Sequence, residues 1–90
     1  MSINKNIKII NKLGLHARAA AQLVQLTSSF TSHIEIEKDS QRVNSKSIMG
    51  VMMLAAGQGS EITLYADGDD EEECIKKIEA LINNRFNEEE

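Results

Sequence analysis

Ile7 and Ile9 flank Lys8, and Ile10 follows, so apolar and polar positions alternate over residues 5–10 and predict a first strand. From residue 17 to about 29 the period lengthens. Ala20, Leu23, Val24 and Thr27 recur at helical spacing and form one apolar stripe. Thr27-Ser28-Ser29 ends that helix, and Phe30 is placed to pack back as an anchor. His33-Ile34-Glu35-Ile36-Glu37 alternates strictly, the mark of a strand with one buried face. Lys38-Asp39-Ser40-Gln41 reads as a polar turn and residues 42–44 as the returning strand of a hairpin. Ser47 is a natural N-cap for a short apolar helix over 48–54, which Gly57-Gln58-Gly59 closes off. Residues 61–66 alternate again as a fourth strand. The acidic run from Asp67 to Glu73 suits the positive end of a last helix, whose stripe is Ile75, Ile78 and Leu81 or Ile82. Residues 87–90 are expected to fray.

The order is therefore β-α-β-β-α-β-α, with no repeat, linker or proline. One apolar stripe per helix and one apolar face per strand predict a two-layer sandwich with the helices on one side. A helix joins the first two strands, so they should run parallel with a right-handed crossover. Hairpin neighbours are antiparallel, which leaves room for the fourth strand to insert between those two in a split β-α-β arrangement. Residues 1–90 suffice for one domain with one modest core, and not for two.

Composition narrows the function. With 3% aromatic residues the core must be built from Ile, Leu, Val, Ala and Met. A formal net charge of -4 argues against nucleic acid and against an anionic membrane surface. Cys74 alone cannot form an internal disulfide, the N-terminus lacks a signal-peptide apolar core, and no stretch reaches the ~20 apolar residues of a membrane span. A cytoplasmic protein is expected. Two histidines and one cysteine, far apart, make no zinc site, and no metal or cofactor is expected.

The chemistry centres on His16, which falls at the start of the first helix with Arg18 two residues later. A helix N-terminus gathers unpaired N–H groups and a positive dipole end, so it favours anions. A neutral imidazole there can attack phosphorus, and the N–H groups from Ala17 onward, with Arg18, can meet the phosphoryl oxygens. A cation is unfavourable in a first helical turn, which weighs against Arg18 as an idle surface residue. His33 opens a strand opposite the inward Ile34 and should face solvent, whereas Cys74 should be buried. Ile48, Met49, Met52 and Met53 cannot all face a core across one short helix. Two or three should be core residues, and an exposed subset with Leu15 should form an apolar docking patch near His16.

Three segments carry a family resemblance. Gly14-Leu15-His16-Ala17-Arg18 resembles the active-site motif of HPr, the histidine phosphocarrier of the phosphoenolpyruvate-dependent phosphotransferase system. Lys46-Ser47-Ile48-Met49-Gly50-Val51-Met52 resembles that family's motif around its regulatory serine, and Glu61-Ile62 with Asp67-Gly68 fits its last third. The resemblance covers nearly the whole chain. It implies an α+β open-faced sandwich, a four-stranded antiparallel sheet backed by three helices. It implies a covalent carrier, not an enzyme: His16 accepts a phosphoryl group on Nδ1 from enzyme I, with Arg18 and Ala17 at the phosphate, and donates it to an enzyme IIA. It also implies Ser47 as a substrate for HPr kinase/phosphorylase, while the apolar reading of the short helix leads to docking through Leu15, Ile48, Met49 and Met52, and a monomer is expected. Alanine stands at position 19, where the family usually has proline; the helix should survive with a less rigid first turn. Asn11-Lys12-Leu13-Gly14 and the acidic tail are reminiscent of the nitrogen branch, NPr, while the Ser47 motif leans to the sugar branch. A non-phosphorylated interaction module on the same fold, or a small-molecule-binding domain, are the readings from other classes.

Overall fold

A computed structural model describes residues 2–89. Its elements run β1 (Ser2–Lys8), α1 (Ala17–Thr27), β2 (His33–Lys38), β3 (Gln41–Asn44), α2 (Ile48–Met53), β4 (Glu61–Asp67) and α3 (Glu71–Asn83), followed by a 3-10 turn at Arg85–Asn87. The sheet order is β1-β4-β2-β3 with every neighbouring pair antiparallel. β4 thus inserts between β1 and β2, which run parallel to each other without touching, as the split β-α-β reading requires.

Period-2 patterning decides which face each strand buries. Ile34, Ile36, Ile62, Leu64 and Ala66 are all buried, and register places Ile36 opposite Leu64, Ile34 opposite Ala66 and Ile7 opposite Ile62. These side chains share one core with Leu23 of α1, Val51 of α2 and Ile75, Ile78 and Ile82 of α3. The opposite face is polar. There Tyr65 donates its hydroxyl to Glu37 at 2.6 Å, and the Arg42 guanidinium lies 3.7 Å over the Tyr65 ring. The β2–β3 hairpin turns through Asp39 and Ser40, both at positive φ (51° and 69°), as a two-residue type I′ hairpin demands.

The boundaries differ from expectation in instructive places. β1 spans Ser2–Lys8, not 5–10, because β4 supplies partners back to Ser2, opposite Asp67. Ile9 lies beyond the strand, buried, bonded to Ser60 and Gly59 through its backbone. α1 ends at Thr27, whose buried hydroxyl donates to Val24 and Ser45 carbonyls. After α3 the chain does not simply trail off: the 3-10 turn at Arg85–Asn87 carries it back towards the sheet and helices. Arg85, Phe86 and Asn87 all take positive φ, turning the chain so that Phe86 enters the core and Glu88 returns to the loop before α1. Position 90 lies outside the described residues.

Candidate functional site

The loop that presents His16 is fixed by its glycine. Gly14 sits at φ +67°, and a Cβ there would come within 2.5 Å of the Ala56 carbonyl and 2.7 Å of the Gly57 Cα. Only glycine combines that conformation with that approach. The Gly14 N–H closes the turn onto the Asn11 carbonyl at 3.1 Å, and the Leu15 N–H reaches the Ala56 carbonyl at 2.8 Å.

Pinned in this way, Leu15 directs its side chain into the core and is only 5% exposed. This corrects its expected place in a docking patch. Leu13, two residues earlier, is 66% exposed instead.

His16 is the N-cap of α1 in extended conformation, and its carbonyl accepts the Ala20 N–H at 2.8 Å. Its side chain makes no capping bond, so the ring is free for another partner. That partner is Glu88: His16 Nε2 and Glu88 Oε2 are hydrogen-bonded, with both side chains largely covered. Glu88 Oε1 accepts from Asn11 Nδ2 at 3.0 Å, and the same Nδ2 donates to the Gly14 carbonyl at 2.9 Å. Asn11 is fully buried and its Oδ1 finds no partner among the described residues, so these two donations determine its orientation. The Asn11 amide first, then the His16 ring, hold the Glu88 carboxyl below the usual carboxylate range, with Arg18 adding favourable charge.

Around this constellation lies a surface hollow of about 550 Å³ lined by Lys12, Leu13, His16, Arg18, Asn87, Glu88 and Glu89. Arg18 stands exposed in the first turn of α1, and that turn holds no acidic residue. The first-turn N–H groups, Ala17 included, have no intrahelical acceptors. His16 and Arg18 therefore border one open hollow at the start of α1.

Ser47 caps α2, its hydroxyl accepting the Gly50 N–H at 3.1 Å while the residue stays half-exposed. Of the apolar residues on α2, Ile48 is 43% exposed, Met49 75%, Met52 42% and Met53 65%. None of the four is a core residue, which corrects the expectation that two or three would be. Val51 and Leu54 take the buried positions, and a helix of this length presents only that one narrow stripe inward. His33 faces solvent and pairs with Glu35 at 3.2 Å. Cys74 is buried, and burial, reinforced by the Asp70 charge, pushes its thiol up to about 11. Among the described residues no cluster could hold a metal ion, and no helix is long and apolar enough to cross a membrane.

Asn11 and Glu88 escape a sequence reading. The Asn11-to-Gly14 spacing carries a faint turn signal. Glu88 carries none, since it is one acidic residue among several and lies 72 positions from His16.

Residues 3–84 match the protein family described as PTS HPr component phosphorylation site. A phosphocarrier protein HPr from Cupriavidus necator is 54% identical over 86 residues, covering 96% of this chain and 97% of that protein. Another from Treponema pallidum is 49% identical over 85 residues, covering 94% and 97%. Among solved structures, HPr from Thermoanaerobacter tengcongensis superposes with a TM-score of 0.94 at 52% identity, covering 98% of this chain and 99% of that one.

Proposed function

The chain belongs to the HPr family, phosphocarriers of the phosphotransferase system, and from that premise we propose that His16 is its phosphoryl acceptor. The observation that carries the reading is the position of the His16 ring: at the N-cap of α1, uncommitted to capping, on the wall of a hollow that also holds Arg18. The Nδ1 lone pair attacks phosphorus and the donor's bond to phosphorus breaks, its electron pair leaving with the donor. Free first-turn amides from Ala17 onward and the Arg18 guanidinium then receive the phosphoryl oxygens. The group stays transferable because those groups are few and exposed, and the next partner removes it by the reverse displacement.

The donor in this reading is enzyme I, charged from phosphoenolpyruvate, and the recipient is an enzyme IIA protein or domain. Ile48, Met49 and Met52 offer them an adaptable apolar surface on α2. The segment just after α2 packs against Gly14, so this surface and the His16 turn are mechanically joined. Ser47 is a second modification position, for HPr kinase/phosphorylase. Its hydroxyl is partly accessible at a helix start, where added negative charge is tolerated and would meet an approaching partner. The chain acts as a monomer, inside the cytoplasm.

The test uses purified protein, enzyme I and labelled phosphoenolpyruvate. The expected label is acid-labile and base-stable, absent from His16→Ala and strongly reduced in Arg18→Ala. Label persisting in His16→Ala would overturn the assignment.

A further inference from the structure

The Asn11–Glu88–His16 chain of hydrogen bonds does more than tether the C-terminal residues. We infer that Glu88 is a positioning residue for phosphoryl transfer: by accepting the Nε2 proton of His16 it leaves the ring's lone pair on Nδ1 and keeps Nε2 protonated throughout the transfer. The inference rests on the assignment of His16 as the acceptor.

A carboxylate can only accept hydrogen bonds, so the partner nitrogen must donate. Glu88 is held ionised by the Asn11 amide and the ring itself, and Asn11 is in turn locked by Gly14. With Nε2–H committed to Glu88, neutral imidazole has its lone pair at Nδ1 and nowhere else. A third residue orienting a carboxylate that orients a reactive histidine is the same hierarchy by which buried carboxylates select the tautomer of catalytic histidines.

The electron count gives Glu88 a second part to play. When Nδ1 forms its bond to phosphorus and the donor departs with the pair of the broken bond, the ring still carries its Nε2 proton and becomes cationic. The Glu88 carboxylate faces that charge across the hydrogen bond. In the forward donation the Nδ1–phosphorus pair returns to the ring, which leaves neutral because Nε2 never lost its proton. One carboxylate thus serves both acceptance and release.

The experiment compares wild type, Glu88→Ala and Glu88→Gln by ring ¹⁵N NMR and by single-turnover phosphorylation with enzyme I and phosphoenolpyruvate, with circular dichroism to verify folding. Wild type should show the Nε2–H tautomer. Glu88→Ala should show mixed tautomers and a rate lower by roughly 10–100-fold, the range seen when the carboxylate partner of a metal-ligating histidine is removed. Glu88→Gln, equal in size but uncharged, should also fall. Wild-type rate in Glu88→Gln would mean that size alone matters, and a faster rate in Glu88→Ala would mean that the carboxylate repels the incoming group. Either result overturns the positioning role, as would an unchanged tautomer in both variants, while loss of label in His16→Ala would leave the carrier assignment standing.

Discussion

The N–H of Leu15 donates to the carbonyl of Ala56 at 2.8 Å, and this bond hangs the turn that carries His16 from the segment following α2. The turn and the segment that follows the apolar helix are therefore joined through their backbones. What disturbs the join should disturb the ring.

Gly14→Ala is expected to show this. Forcing a side chain into the left-handed region costs roughly 1–2 kcal/mol by itself, and the new Cβ would collide with backbone at Ala56 and Gly57, which cannot swing aside. Thermal unfolding should shift down by several degrees or more, and phosphorylation of His16 should slow even below the melting range. A variant that phosphorylates at the wild-type rate would show that the turn tolerates displacement.

Ser47 separates capping from charge. Ser47→Ala removes the acceptor for the Gly50 N–H and should cost about 1 kcal/mol in denaturant unfolding. Ser47→Asp keeps a capping oxygen and should unfold near wild type, yet its charge should weaken partner engagement, read as a higher KM for the partner protein. Equal KM values in the two variants would remove the electrostatic role.

Asp70 governs acid stability. Its carboxylate accepts the Ser32 hydroxyl and the backbone N–H groups of Thr31 and Ser32, at 2.9 and 3.0 Å for the latter two, tying α3 to the start of β2. The Ser32 hydroxyl first, then the Thr31 N–H, hold its carboxyl down to about 2. A carboxyl depressed on folding contributes stability that is fully present above its unfolded pKa of roughly 4 and is lost as pH falls towards 2. Urea unfolding of wild type should weaken across that interval, and Asp70→Asn should start less stable at neutral pH with a flatter acid limb.

Met49 and Met52 test the docking surface. Both are exposed, so replacing them together with glutamine should change stability by no more than about 0.5 kcal/mol. Transfer from the donor protein should nevertheless need several-fold more partner, with the maximal rate kept. An unchanged KM would move the docking surface elsewhere.

Strict alternation in β2 and β4 made the sheet readable, since one polar and one apolar face admit only one register. The N-cap at Ser47 and the helix start at His16 were readable because capping and first-turn chemistry are local. The hidden features are non-local or run against periodicity. Phe86 is the largest fully buried side chain, yet it follows a helix in a three-residue turn of positive φ that no apolar spacing announces. Leu15 looked available in the sequence because its burial depends on Ala56, far along the chain. That all four of Ile48, Met49, Met52 and Met53 are exposed, where two or three were expected in the core, follows from the single narrow stripe that so short a helix buries. Glu88 depends on both chain ends meeting, which only the folded topology brings about.

The pairing of β1 with β4 also governs when the molecule can form. Ser2 finds its partner at Asp67 and Lys8 finds its own at Glu61. During synthesis the first strand emerges with its partner still unmade. Joining them closes a loop of roughly sixty residues, a slow step that comes after the local β2–β3 hairpin is available. A nascent chain halted before β4 would already contain His16, but its first strand would lack β4, its neighbour in the finished sheet.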